Sequence, residues 1–245
     1  MKIFAINLER CADRRMTLEK RLNELGLQPT FLCAVDGKTL SRQNLALGPG
    51  AMSMSDSEIA CYLSHIQAWQ AVVDCAAPAA LILEDDVEIS PQLPSALPRL
   101  QALSPHFDAL RLASIMPVRG QVLGHLLPEI ACVLPHKNIS GTMGYCLSAK
   151  GAQRLLATYA PPKALINMPI DDALDRYWQH NLVVLALKPD LIWQGRNIET
   201  TIEHTQSVCR ERQFFALRWV YSLKRRLYVT RLYRQLRHSL ETSLL

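Results

Sequence analysis

Apolar and polar positions change their spacing block by block along this chain, and each spacing predicts an element. "KIFAINL", residues 2–8, is a compact apolar run that reads as a strand. Asp13 then predicts the cap of a helix that carries Leu18, Leu22 and Leu25 on one side and stops at Gly26. "TFLCAVDG" reads as a second strand entering a turn at Asp36-Gly37. From Arg42 to Ser53 the chain is loop-like. "SDSEIACYLSHIQAWQAVV" then opens with a capping box, Ser55 and Glu58, and repeats Ile59, Tyr62, Leu63, Ile66, Trp69 and Val73 at intervals of three and four, which predicts an amphipathic helix.

The same reading continues downstream. "AALILED" is a third strand and "ALRLAS" a fourth. After a segment containing Pro and Gly, "GYCLSA" reads as a strand, "KGAQRLLATY" as a helix stopped by Pro161-Pro162, and "LVVLALKPDLIWQ" as strand material. Internal repeats and low-complexity tracts are absent. Alternation of this kind predicts an α/β fold, with a mainly parallel sheet flanked by helices on both faces. In such sheets ligands gather at the carboxyl ends of the strands.

Composition narrows the class. The 245 residues, 49% of them hydrophobic, suit one large α/β domain or one domain with an appendage. No run of 18 apolar residues occurs, and the apolar start of "MKIFAINLERC" is too short for a signal-peptide core. The seven cysteines are widely spaced, with no C-x-x-C and no short His/Cys cluster; they read as reduced thiols of a cytosolic protein, neither a disulfide framework nor a zinc site.

Chemistry concentrates at "LILEDDV". Ala80 to Leu83 form a continuous apolar run, as a strand buried on both faces requires, so Glu84, Asp85 and Asp86 fall at its carboxyl end. Adjacent carboxylates repel unless a cation or protons intervene. A solvated turn explains many such clusters, but at the end of a central strand they suit a hard divalent cation bridging to substrate phosphates. Asn7, Arg10, Arg14 and Arg15 lie just beyond the first strand, where that loop can approach the base and phosphates of a nucleotide. His65, at the border of its helix's apolar side, reads first as a packed, hydrogen-bonded histidine.

Five stretches in order, "AINLERCADRR", "CYLSHIQAW", "LILEDDV", "GTMGYCLSAKGAQRLL" and "PIDDAL", resemble glycosyltransferase family 25, which includes bacterial lipopolysaccharide and lipooligosaccharide galactosyltransferases and the collagen galactosyltransferases. The resemblance covers roughly residues 2–205. It implies a GT-A type, Rossmann-like fold, a UDP-sugar donor, galactose transfer with inversion, and Mn²⁺ or Mg²⁺ held by the acidic motif.

By that resemblance Asp86 is the first choice as metal ligand, with Asp85 as ligand or ribose partner and Glu84 as an orienting group. Inversion by direct displacement needs a base, and "PIDDAL" supplies Asp171 and Asp172. Asp171 stands in the place of the family's P-x-D carboxylate; Asp172 also reads as a helix cap. Arg15 best matches the family's Asp-Arg-Arg pattern. A uridine contact at Asp36, a nucleotide-proximal His65 and a third metal ligand at His204 are implied in the same way. The D-x-D-x-[TS] spacing of phosphohydrolases and the EF-hand pattern are missing. A non-catalytic nucleotide-sugar binding protein, or an inactive paralogue, stays open.

Charge divides the chain at residue 209. From Arg210 onward nine Lys/Arg face two Glu, a net of +7, whereas residues 1–209 carry a net of −2. The expected organisation is a transferase domain at 1–209 and a basic aromatic helical tail at 210–245. Helical spacing puts Phe214, Leu217, Tyr221, Tyr228 and Leu232 on one stripe, interrupted by Arg225. Packing on the domain, nucleic-acid binding and a peripheral anchor on anionic lipid compete; no recognition motif supports nucleic acid. The anchor fits best, beside a lipid-linked oligosaccharide acceptor on the cytoplasmic face of a bacterial inner membrane.

Overall fold

The structure is a computed structural model, and it describes residues 1–195 and 215–241. In chain order the elements are β1 (Lys2–Asn7), α1 (Ala12–Glu24), β2 (Thr30–Cys33), α2 (Asp56–Asp74), β3 (Ala79–Glu84), β4 (Val87–Ile89), α3 (Leu93–Ala102) and β5 (Ala109–Arg111). There follow β6 (Gly120–Leu127), β7 (Ile130–Pro135), β8 (Gly144–Ser148), α4 (Ala149–Tyr159), α5 (Ile170–Asp175), β9 (Val184–Lys188), β10 (Ile192–Gln194) and α6 (Phe215–Glu241).

Eight strands form one sheet in the order β2-β1-β3-β8-β5-β9-β7-β6, and β4 pairs with β10 in a small second sheet. Six of the eight strands run one way; β8 and β7 run against them. β3, whose end carries the acidic motif, is buried on both faces as its apolar run requires. Leu81 and Leu83 point into a core shared with α1, α3 and α6, while Ala80 and Ile82 point into a second core shared with α2, α4 and α5. Helices therefore cover both faces of the sheet.

Local signals explain most element ends. Ser55 and Glu58 make the reciprocal capping box at the start of α2. Gly26, at φ +70°, supplies the left-handed residue that ends α1. The cap at the other end of α1 is Cys11, not Asp13, which sits in the first turn where its charge favours the helix dipole. Four elements escaped the sequence pattern: the short β4, α3, and the β6–β7 hairpin whose register shifts twice and so breaks strict alternation.

Within the tail, the described helix α6 packs against the rest of the chain. Val229, Leu232, Leu236 and Leu240 of α6 are buried in the same core as α1 and α3, and Tyr228 donates to the Leu182 carbonyl at 3.0 Å. Arg225 stacks over Tyr177, 5.4 Å from its ring centre, and donates to Asn138. The buried stripe is thus centred on Leu232 and Leu236; Tyr221, expected on it, is 41% exposed and rests edge-on against Trp178. Tertiary packing receives these apolar side chains. Among the described residues no helix is long and apolar enough to cross a membrane.

Candidate active site

Sheet topology assembles the site. β1 and β3 are parallel neighbours with Ile6 opposite Glu84, so Asn7 emerges beside Asp85. β8 runs antiparallel to β3 with Gly144 opposite Leu83, which brings the loop before β8 to the carboxyl end of β3. There Thr142 donates to Glu84 Oε1 at 2.6 Å. A cavity of about 270 Å³ opens at this edge. Its lining includes Arg10, Arg14, all three carboxylates of the acidic motif, Asp171 and Asp172.

The three adjacent carboxylates are held in different ways. Asp85 accepts from Asn7 Nδ2 at 2.7 Å on one oxygen and from Arg14 Nη1 at 2.9 Å on the other. Glu84 accepts from Thr142 and lies 3.4 Å from His65 Nε2. Burial raises the Glu84 pKa, but the contacts with His65 and Thr142 and the charge of Arg111 outweigh it, so its net shift is downward. Asp86 has the opposite fate. Its Oδ1 is buried without a hydrogen-bond partner, and burial, with the charges of Glu84 and Asp85 added, pushes its pKa up to about 6. A buried carboxylate oxygen with no donor, in a cavity walled by further carboxylates, is what a divalent cation neutralises. The residues fit such an ion, with Asp86 as the available ligand and Asp85 as the anchored one.

α5, which also lines the cavity, begins at Pro169, whose side chain makes no cap bond, and Asp171 and Asp172 occupy its first turn. Neither is the N-cap expected of Asp172. Asp175, at the end of the same short helix, accepts from the backbone N–H groups of Ile139 and Ser140 at 3.2 and 3.0 Å. It thereby fixes the loop that carries Thr142.

Several sequence expectations land elsewhere. Arg10 bonds Asp36 at 2.7 Å, and Asp36 accepts from the Lys38 N–H as a turn residue, so Asp36 braces the rim and is not among the residues lining the cavity. Arg15 turns away from the cavity and stacks on Phe31, 4.5 Å from the ring centre. One residue earlier on the helix, about 100° round, Arg14 points inward. His65 is buried under the cavity, with Nδ1 2.9 Å from the Tyr145 hydroxyl oxygen, which also accepts from Trp69 Nε1 at 2.7 Å. His204 lies outside the described residues.

Arg111 was missed by sequence reasoning. Its guanidinium is buried at the end of β5, donates to the Ser140 carbonyl at 2.9 Å, and sets a positive charge among Asp175, Asp171 and Glu84. A charged residue inside the apolar "ALRLAS" was the available signal, since burial of Arg demands such partners.

The chain is similar to known proteins over most of its length. The chain is 33% identical over 208 residues to a glycosyltransferase 25 family member of Drosophila pseudoobscura pseudoobscura, covering 78% of this chain and 32% of that protein. It is 29% identical over 190 residues to human procollagen galactosyltransferase 2, covering 71% and 29%. A cattle protein named probable inactive glycosyltransferase 25 family member 3 is 29% identical over 219 residues, covering 77% and 36%. This chain spans about a third of the length of the curated relatives it matches. The family model described as glycosyltransferase family 25 (LPS biosynthesis protein) matches residues 1–174, well over half of the sequence, and the chain belongs to that family.

Proposed function

We propose that this chain is an inverting hexosyltransferase that moves galactose from UDP-galactose to a hydroxyl of a lipopolysaccharide or lipooligosaccharide acceptor. The observation that carries the reading is the unpartnered, buried Oδ1 of Asp86 in the same cavity as Asp171 and Asp172. Asp86 would hold Mn²⁺ or Mg²⁺, whose chemistry is to neutralise the diphosphate as it leaves. Asn7 and Arg14 fix Asp85 beside it, and Arg10 and Arg14 add positive charge for the phosphates at the cavity wall. Asp171 takes the proton of the acceptor hydroxyl as its oxygen bonds to the anomeric carbon and the bond to UDP breaks. Arg111 stabilises the negative charge on that wall before the proton arrives.

A membrane-bound acceptor is part of the proposal. The outward side of α6 exposes Leu223 and Leu227 among Lys224, Arg226, Arg231 and Arg234, a composition suited to an anionic lipid surface.

A donor screen tests the whole. UDP-galactose, UDP-glucose and UDP-N-acetylglucosamine are incubated with Mn²⁺ and truncated lipooligosaccharides, and UDP release is measured. UDP-galactose is expected to give acceptor-dependent release. Tight UDP-sugar binding without turnover on any acceptor would instead place the chain with non-catalytic members, a possibility that the name of the cattle relative keeps in view.

A further inference from the structure

Cys61 and His65 stand one turn apart on α2, and the fold brings Glu84 of β3 to them; the thiol, the imidazole and a carboxylate oxygen all lie within 4.8 Å of one another. We propose that Cys61, His65 and Glu84 form a binding site for one borderline-soft divalent cation of the Zn²⁺ class, separate from the hard-cation ligand Asp86. A short His/Cys cluster was not expected from the sequence, because the Cys-x₃-His spacing becomes a chelating pair only once the segment is helical.

Three geometric facts point to the ion. His65 Nε2 is buried, makes no hydrogen bond, and has Glu84 Oε1 as its polar neighbour. Its 3.4 Å separation from Glu84 Oε1 is close to the ~3.3 Å that tetrahedral zinc imposes on a nitrogen and an oxygen ligand. The sulfur, at no more than 4.8 Å, has to close by about 1.2 Å at most to reach its tetrahedral position.

The surroundings already provide the outer contacts that ligating side chains need. With Nε2 on the ion, His65 keeps its proton on Nδ1 and donates it to the Tyr145 oxygen, which accepts from Trp69 on its other side. Thr142 orients Glu84. Asp86, Asp171 and Glu58 add a negative field at Cys61 that draws in a dication. All three ligands line the cavity, so the fourth coordination position opens onto it, unlike a closed structural site.

Binding exchanges the thiol proton for the cation. The S–H bond breaks, an S–metal bond forms, the proton goes to solvent, and nothing is oxidised. The proposal does not depend on glycosyl transfer, because binding alone reads it.

Co²⁺ is the probe, titrated into the metal-free full chain and followed by absorption spectroscopy. The wild type is expected to develop a sulfur-to-cobalt charge-transfer band equivalent to one sulfur-ligated ion per chain, and Zn²⁺ should displace it. Cys61→Ser should lose the band while circular dichroism stays unchanged, whereas Cys33→Ser and Asp86→Asn should keep it. Glu84→Gln should weaken Co²⁺ binding about tenfold or more. Absence of the band in the wild type, its survival in Cys61→Ser, or its loss in Asp86→Asn overturns the assignment.

Discussion

Asn7 Nδ2 donates to Asp85 Oδ2 across 2.7 Å, tying the carboxyl end of β1 to that of β3. With Arg14 on its other oxygen, Asp85 is immobilised, and Asp86 is left as the carboxylate with an oxygen to give. Removing the donor leaves a buried carboxylate oxygen unpaired. Asn7→Ala is expected to destabilise the chain by about 1–3 kcal/mol in urea denaturation and to weaken donor binding in calorimetry. An unchanged denaturation midpoint would show that the contact contributes nothing.

Asp86 should make the metal-free protein pH-sensitive. Its folded pKa of about 6 exceeds the ordinary 3.8, so between those values the folded chain holds a proton that the unfolded chain has released. Stability contributed by this group is present below 3.8 and is lost as pH rises through about 6. In EDTA, Asp86→Asn is therefore expected to gain stability over wild type as pH rises from 4 to 8 in thermal melts. A gain that shrinks with rising pH would contradict the raised pKa.

Metal dependence follows from the same carboxylate. EDTA should abolish UDP release and Mn²⁺ or Mg²⁺ should restore it, with cation affinity falling below pH about 6 as protons compete for Asp86. Asp86→Asn should lose most activity with its circular dichroism unchanged. Full turnover in chelator removes the cation from the mechanism.

Asp171→Asn separates chemistry from binding. Turnover is expected to fall roughly 100-fold or more, the scale for loss of a general base, with UDP affinity nearly unchanged in calorimetry. If Asp172→Asn has this effect and Asp171→Asn does not, the base is the second carboxylate of the pair.

The tail helix yields a test of the core. A chain ending at residue 214 exposes the surface that Val229, Leu232, Leu236 and Leu240 cover, and it should aggregate or melt far below the full chain. Leu236→Ala alone is expected to cost about 2–5 kcal/mol. A truncated chain that remains soluble and cooperative would mean that α6 contributes little.

The proposed membrane contact, by contrast, would use the outer face of the same helix. The full chain should co-sediment with phosphatidylglycerol vesicles at low salt and release at high salt. Leu223→Glu with Leu227→Glu should abolish sedimentation and leave stability within about 0.5 kcal/mol, because both side chains are exposed. Sedimentation that survives these changes would move the contact elsewhere.

The sequence by itself determined the local elements and the position of the acidic motif. Capping residues, helical and alternating periods, and the run from Ala80 to Leu83 act over a few residues, so α2, β3 and the strand-end placement of Glu84 to Asp86 were legible in one dimension. Which groups meet them was decided by the sheet. The parallel pairing of β1 with β3 gives Asp85 its Asn7, and the reversed β8 delivers Thr142 to Glu84. Arg14 and Arg15 look alike as neighbours in the chain, but a 100° step around α1 sends one to Asp85 and the other to Phe31. Cys61, His65 and Glu84 converge only when a helix lies across a strand end. The stripe on α6 was placed only in part for the same reason: Tyr228 and Leu232 pack as their spacing predicted but Tyr221 does not, because spacing shows that a helix has an apolar face and only the surface it packs on decides its limits.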